Sequence, residues 1–289
     1  MAQQLTPQQC IDLIKAHQFA VQKKFGQNFL VDINVLEGIV EAAGVDEDTC
    51  VLEIGPGMGA LTGHLLDKAA KVIAVEVDKM LIPILQGTLG SNEKFVLIND
   101  DILKVDIASL IEKENGGKPI RVVANLPYYI TTPIVMQLLE KEEKIESITV
   151  MVQKEVAERM MEGPGSKAYG ALSLAVQYYS RPYLKINVSK NSFYPKPDVD
   201  SAVIRLDIYK PEERPVHSDN TELLFKIIRA AFGQRRKTLV NALGNAADVP
   251  YSKAQVAQAL GNLGKSETIR GEVLNLQEFA DLTGALENL

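Results

Sequence analysis

The chain of 289 residues has no tryptophan, two cysteines and three histidines. Cys10 and Cys50 are too few for a disulfide framework or a cysteine-rich zinc site. Cys50 opens an apolar segment, where a small buried thiol is expected. His17, His64 and His217 are scattered, and none has a partner at ligand spacing, so no metal centre is expected. No apolar run approaches the roughly 20 residues that span a bilayer. Met1 to Lys15 is polar and carries no signal-peptide core. The expected setting is therefore the cytoplasm, with no membrane partner. Repeats and low-complexity tracts are missing, and nothing marks an oligomer, so a monomer is the expectation.

What is present is the composition of an ordinary globular protein, 46% hydrophobic and 24% charged. A chain of this length can bury one large core and a smaller one. The formal net charge of −6, with a pI near 5.3, argues mildly against a nucleic-acid partner. Local basic faces can coexist with an acidic whole, so clusters matter more than the sum.

From Asp48 to about Leu206, short apolar runs alternate with helical periods. Strands are predicted at Val51 to Ile54, Val72 to Val77, Phe95 to Ile98, Arg121 to Ala124 and Ser147 to Val152. Helices are predicted at Ala60 to Ala69, Lys79 to Leu85 and Thr132 to Glu140. Such alternation means an α/β fold with a parallel sheet and helices on both faces. Tyr183 to Val188 and Ala202 to Ile208 lie closer together and read as an antiparallel pair at the sheet edge. Lys210 to Pro215 is polar and proline-flanked, as a linker is. Beyond it short helices are predicted at Glu222 to Phe232, Lys237 to Leu243, Ser252 to Leu260 and Leu276 to Leu282. The expected domains are 1–209, mostly parallel sheet, and 210–289, all helical.

The most informative stretch is Asn125-Leu126-Pro127-Tyr128, directly after the apolar run Val122-Val123-Ala124. A side-chain amide, a backbone carbonyl fixed by proline and an aromatic ring stand together at a strand end. That set suits a planar exocyclic amine on a nucleobase. Earlier, Glu53-Ile54-Gly55-Pro56-Gly57-Met58-Gly59-Ala60 joins the first strand to its helix. Its glycines let backbone amides approach a ligand. Gly55-x-Gly57-x-x-Ala60 alone also fits the dinucleotide fingerprint of NAD enzymes. Glu76 lies 21 residues after Gly55, where a carboxylate can take both ribose hydroxyls. Asp101, of the Asp100-Asp101 pair, can accept from an adenine amine. The acid Glu53 before the glycines, the stiff Pro56 and Asp101 tilt the set from NAD toward S-adenosylmethionine.

With these motifs in hand, the chain resembles the ribosomal RNA adenine N6,N6-dimethyltransferases, in the small-subunit branch whose loss gives kasugamycin resistance. The resemblance runs through Lys23 to Leu30, Val51 to Gly59, Asn125 to Pro133, Phe193 to Ser201 and Phe232 to Leu239. It implies a class I, Rossmann-like methyltransferase fold with a seven-stranded, mostly parallel sheet and a small C-terminal all-α domain. It implies S-adenosylmethionine as cofactor, with Asn28, Leu30, Gly55, Glu76, Asp101 and Asn125 around it. Methyl groups would go to N6 of two adjacent adenosines near the 3' end of 16S rRNA, within an assembling small ribosomal subunit.

In the chemistry expected on that basis, the Asn125 side-chain oxygen and the Pro127 carbonyl accept the N6 hydrogens. Tyr128 stacks on one face of the base, and Phe193 covers the other. Basic groups expected along an RNA path are Lys23-Lys24, Lys154 and Arg159, Lys185, Lys190 and Lys196, and Arg235-Arg236-Lys237. Competing readings are the large-subunit enzyme of macrolide resistance, a catalytically silent assembly factor, a DNA adenine methyltransferase, which typically carries Asp-Pro-Pro-Tyr, and an NAD oxidoreductase.

Overall fold

A computed structural model describes residues 8, 9, 12, 28–141 and 144–289. Cys10, His17 and the Lys23-Lys24 pair lie outside the described residues. The described residues fall into two compact units, considered separately below.

The first unit spans Met1–Ala157 and Pro182–Ile208. It begins, in its described part, with β1 (Phe29–Leu30) and α1 (Ile33–Ala43). Asp32 caps α1 by accepting from the Asn34 N–H at 3.1 Å. Gly44 ends that helix at φ 63°, in the left-handed region. Five βα steps follow: β2 (Cys50–Ile54), α2 (Ala60–Lys68), β3 (Lys71–Glu76), α3 (Ile82–Leu89), β4 (Phe95–Asn99), α4 (Ile107–Asn115), β5 (Ile120–Asn125), α5 (Thr131–Lys141), β6 (Ile145–Gln153) and α6 (Lys154–Met161). After α7 (Ala171–Tyr179) come β7 (Ser180–Val188), β8 (Phe193–Tyr194) and β9 (Ser201–Ile208).

The seven strands of the main sheet run β4-β3-β2-β5-β6-β9-β7. Strands β2 to β6 pair in parallel, and β9 is antiparallel to β6. Residues such as Val51, Leu52, Ile73, Ala74, Val122 and Val123 are fully buried. That is the near-continuous apolar character of parallel strands covered on both faces. The chain order turns back between β2 and β5, so a crevice opens at their carboxyl ends. All the predicted strands form, within a few residues of their expected bounds. Helix α3 starts three residues later than expected, with Pro83 in its first turn, a place that suits a residue without an N–H.

Two short strands escaped the sequence reading. β1 and β8 form a separate antiparallel ribbon, Phe29 opposite Tyr194 and Leu30 opposite Phe193. Ser192 stitches the ribbon further. Its carbonyl takes the Val31 N–H at 2.9 Å, and its hydroxyl donates to Asp32 at 2.9 Å.

The second unit comprises Glu158–Arg181 and Tyr209–Leu289. Its helices include α7, α8 (Thr221–Gly233), α9 (Leu239–Leu243), α10 (Lys253–Asn262) and α11 (Leu276–Glu287). It therefore takes a segment that the expected boundary at 209 leaves with the sheet. The cause is aromatic. Tyr169 is fully buried, meets Phe232 edge-on at 5.6 Å and donates to the Leu274 carbonyl at 2.9 Å. Tyr178 packs edge-on against Phe225 at 5.3 Å. These contacts tie the segment before β7 to the C-terminal helices.

Candidate active site

One cavity opens at the carboxyl ends of β2 to β5, in the first unit. Its lining brings together Asn28, Leu30, Gly55, Glu76, Asp101, Asn125, Pro127 and Tyr128. All of these were expected at the site from the sequence, and for those at the ends of β2 to β5 parallel register explains why. Strands that all point one way deliver their terminal residues to one edge.

The glycine loop leaves β2 and doubles back on β3. The Gly55 N–H donates to the Val75 carbonyl at 2.9 Å, and the Gly57 N–H to Glu76 Oε2 at 3.2 Å. Gly55 holds φ 67°, and a Cβ there would meet nothing within 4 Å, so open space lies over the turn. A Cβ on Gly57 would stand 3.3 Å from the Phe29 ring, so the loop needs glycine to fit beneath β1.

Glu76 is 4% exposed, and its second oxygen accepts from the Asp78 N–H at 2.8 Å. Burial raises its pKa to about 7, against the pull of those two amides. Glu53 is 1% exposed, also lines the cavity, and has one oxygen without a hydrogen-bond partner among the described residues. Burial pushes it up to about 8, with the charge of Glu76 adding to the effect. A buried carboxyl raised in this way ionises when a cation comes beside it, so its place in the lining fits a ligand that brings positive charge. Asp101 uses one oxygen to take the Leu103 N–H at 3.1 Å. Val77 and Ile102 add apolar wall beside it. Donor-accepting carboxylates and apolar wall together fit a nucleoside cofactor with a cationic end.

At the end of β5, the Asn125 amide nitrogen donates to the Asn28 carbonyl at 3.3 Å. The Pro127 carbonyl departs from its expected role. It accepts from the Ile130 N–H at 3.2 Å and from the Thr131 hydroxyl at 3.1 Å. Two donors fill its two lone pairs. Neither of them engages the carbonyl of Leu126, which lines the same cavity. Tyr128 is half-buried, and its hydroxyl meets the Ser201 hydroxyl at 2.8 Å.

Phe193 departs from expectation as well. It is 4% exposed and packs in the core with Phe29 and Leu30, outside the cavity lining. Pairing of β1 with β8 sets it opposite Leu30. Arg235 is a third correction. It does not face solvent freely. In the turn between α8 and α9 it bonds Glu272 at 3.0 Å and the carbonyls of Lys167 and Ser166 at 2.6 and 2.9 Å. Arg236 and Lys237 stay exposed. Lys190 is drawn to the Asp198 carbonyl at 3.2 Å, and Lys185 lies 5.0 Å over the Tyr183 ring. Cys50 is the buried thiol expected, its pKa raised to about 11 by burial. Among the described residues no group of three or more His, Cys, Asp or Glu could hold a metal ion. None of the described helices is long and apolar enough to cross a membrane.

A family model described as ribosomal RNA adenine dimethylase matches residues 18–269. The chain is 55% identical over 282 residues to the ribosomal RNA small subunit methyltransferase A of Lachnoclostridium phytofermentans, covering 97% of each. It is 45% identical over 281 residues to the protein of the same name from Alkaliphilus oremlandii, again covering 97% of each. Among solved structures it is similar to a dimethyladenosine transferase from Plasmodium falciparum. There the TM-score is 0.69 and the identity 26%, over 87% of this chain and 94% of that one. It is similar to the 23S rRNA methyltransferase ErmE at TM-score 0.64 and 26% identity, over 90% of this chain and 100% of that one. By sequence over nearly its full length, the chain belongs to the ribosomal RNA adenine dimethylase family.

Proposed function

We propose that this protein transfers methyl groups from S-adenosylmethionine to N6 of two adjacent adenosines near the 3' end of 16S rRNA, in an assembling small subunit. One observation carries the reading. The amine-handling residues Asn125, Leu126 and Tyr128 line the same cavity as the cofactor-type acids Glu76 and Asp101. The relatives at 45–55% identity bear the small-subunit name, which favours that target over the large-subunit one.

S-adenosylmethionine, when bound, supplies a methyl group already activated on a sulfonium. The residues that would hold it are Glu76 at the ribose, Asp101 at the adenine amine, Gly55 under the turn, and Asn28 and Leu30 at the methionine end. The acceptor side is the harder one, because the N6 lone pair is delocalised into the purine ring. Asn125 Oδ1 and the Leu126 carbonyl each take one N6 hydrogen and turn that lone pair out of the ring plane. Tyr128 stacks on the base, a contact worth about 1–3 kcal/mol. The β1–β8 ribbon closes the adjoining wall, with Phe193 in its inner layer. Positioning of this kind supplies up to about 7–11 kcal/mol of a barrier in favourable cases. The target adenosine enters unstacked from its neighbours. Exposed cations, Lys154 and Lys196 in the first unit and Arg236 and Lys237 in the second, engage phosphates.

The test is to map dimethyladenosine in rRNA from cells lacking the protein, before and after complementation. Two adjacent dimethyladenosines that vanish and return support the reading. Unchanged small-subunit RNA with altered large-subunit RNA would move the enzyme to the other subunit.

A further inference from the structure

Stacking needs a ring and has no use for a phenol hydroxyl, yet the residue at position 128 is tyrosine. Among the described residues that hydroxyl has one partner, Ser201 Oγ, at 2.8 Å. Ser201 is fully buried at the first position of β9, opposite Gln153 of β6. It lies 73 residues along the chain from Tyr128, on a strand that supplies none of the cavity lining. A serine buried there without a partner would cost stability, so the pairing serves both ends. A side chain anchored at its Cα and at its far oxygen has its long axis fixed, because that oxygen lies on the axis about which the ring turns. Tyr128 is only half-buried, so packing alone leaves its side chain room to swing. The neighbouring turn is fixed in the same manner, by the Thr131 hydroxyl on the Pro127 carbonyl at 3.1 Å.

We propose that Ser201 is a positioning residue for methyl transfer, which acts through the Tyr128 hydroxyl to hold the ring in the place a stacked adenine requires. The inference rests on the reading of Tyr128 as the stacking platform. It assigns the serine that closes the Phe193 to Ser201 segment a task distinct from strand formation.

The experiment compares Ser201→Ala, Tyr128→Phe and the double variant on small subunits isolated from cells lacking the enzyme. Each single change removes the same hydrogen bond with almost no change in volume. Each is expected to lower kcat about 5-fold or more, with the Kd for S-adenosylmethionine within about 2-fold of the parent. The double variant is expected to fall no further than either single one, because the two share one bond. A wild-type kcat for Ser201→Ala overturns the proposal, and so does a double variant whose loss is the product of the two. A second readout does not depend on activity. With 3-fluorotyrosine at position 128, Ser201→Ala is expected to change the fluorine shift and line width through altered ring motion. An unchanged fluorine spectrum overturns the proposal even where kcat falls. If wild-type protein transfers no methyl group to any small subunit, the proposed function fails, and the fluorine spectrum alone decides whether Ser201 holds the ring.

Discussion

Asn125 ties the end of β5 to the residue before β1, since its nitrogen donates to the Asn28 carbonyl. Asn125→Ala is expected to cut transfer more than 10-fold, a barrier increase above ~1.4 kcal/mol. Cofactor affinity measured by calorimetry should change far less than the rate. A variant that keeps over a tenth of the parent rate would remove Asn125 from the chemistry. The two buried acids give a pH signature. Burial holds Glu53 near 8 and Glu76 near 7, above the ordinary glutamate value of 4.5. The folded chain thus binds these protons more tightly than the unfolded chain. Their stabilising contribution is complete below about pH 4.5 and is lost as pH rises through 7 and 8. Between pH 6 and pH 9 the melting temperature of the wild type should fall by at least ~2 °C relative to Glu53→Gln. Parallel melting curves would refute the burial effect. Arg235 supplies a third expectation at this scale. Its three bonds inside the helical unit predict that Arg235→Ala costs about 1–2 kcal/mol of stability, read by chemical denaturation.

At the scale of elements, the parallel strands and their acids were legible because apolar runs and a 21-residue spacing are local signals. The β1–β8 ribbon was not. Strands of two residues are too short for any period to show, and their pairing is decided by residues far apart in the chain. The same blindness explains Phe193. Its segment was visible, but the strand it pairs with was not. The Pro127 carbonyl was misjudged because the occupancy of a backbone acceptor depends on the turn it sits in. Asp32 tests the ribbon as an element. It caps α1 and also takes the Ser192 hydroxyl, so Asp32→Ala should loosen both. About 1 kcal/mol of stability should be lost, as for other helix caps. Cofactor affinity should weaken as well, because Phe29 and Leu30 wall the cavity. A capped helix alone predicts the first effect without the second.

At the scale of the molecule, an acidic chain must bind an acidic polymer. A run such as Arg235-Arg236-Lys237 reads the same in sequence whether it is solvated or clamped. The structure divides it, with Arg235 held inside and the other two exposed. Replacing Arg236 and Lys237 by alanine should weaken binding to small subunits and reduce the salt slope by about 1–2. An unchanged slope would place the phosphate contacts elsewhere.

The ribbon also sets a timetable for synthesis. Five parallel strands are encoded before residue 154, so a nascent chain can assemble its sheet early. The partner of β1 is not made until Phe193 and Tyr194 leave the exit tunnel. Until then the wall over the glycine loop has nothing to pair with. A growing chain can therefore own five of its seven main strands before the wall over its glycine loop is paired.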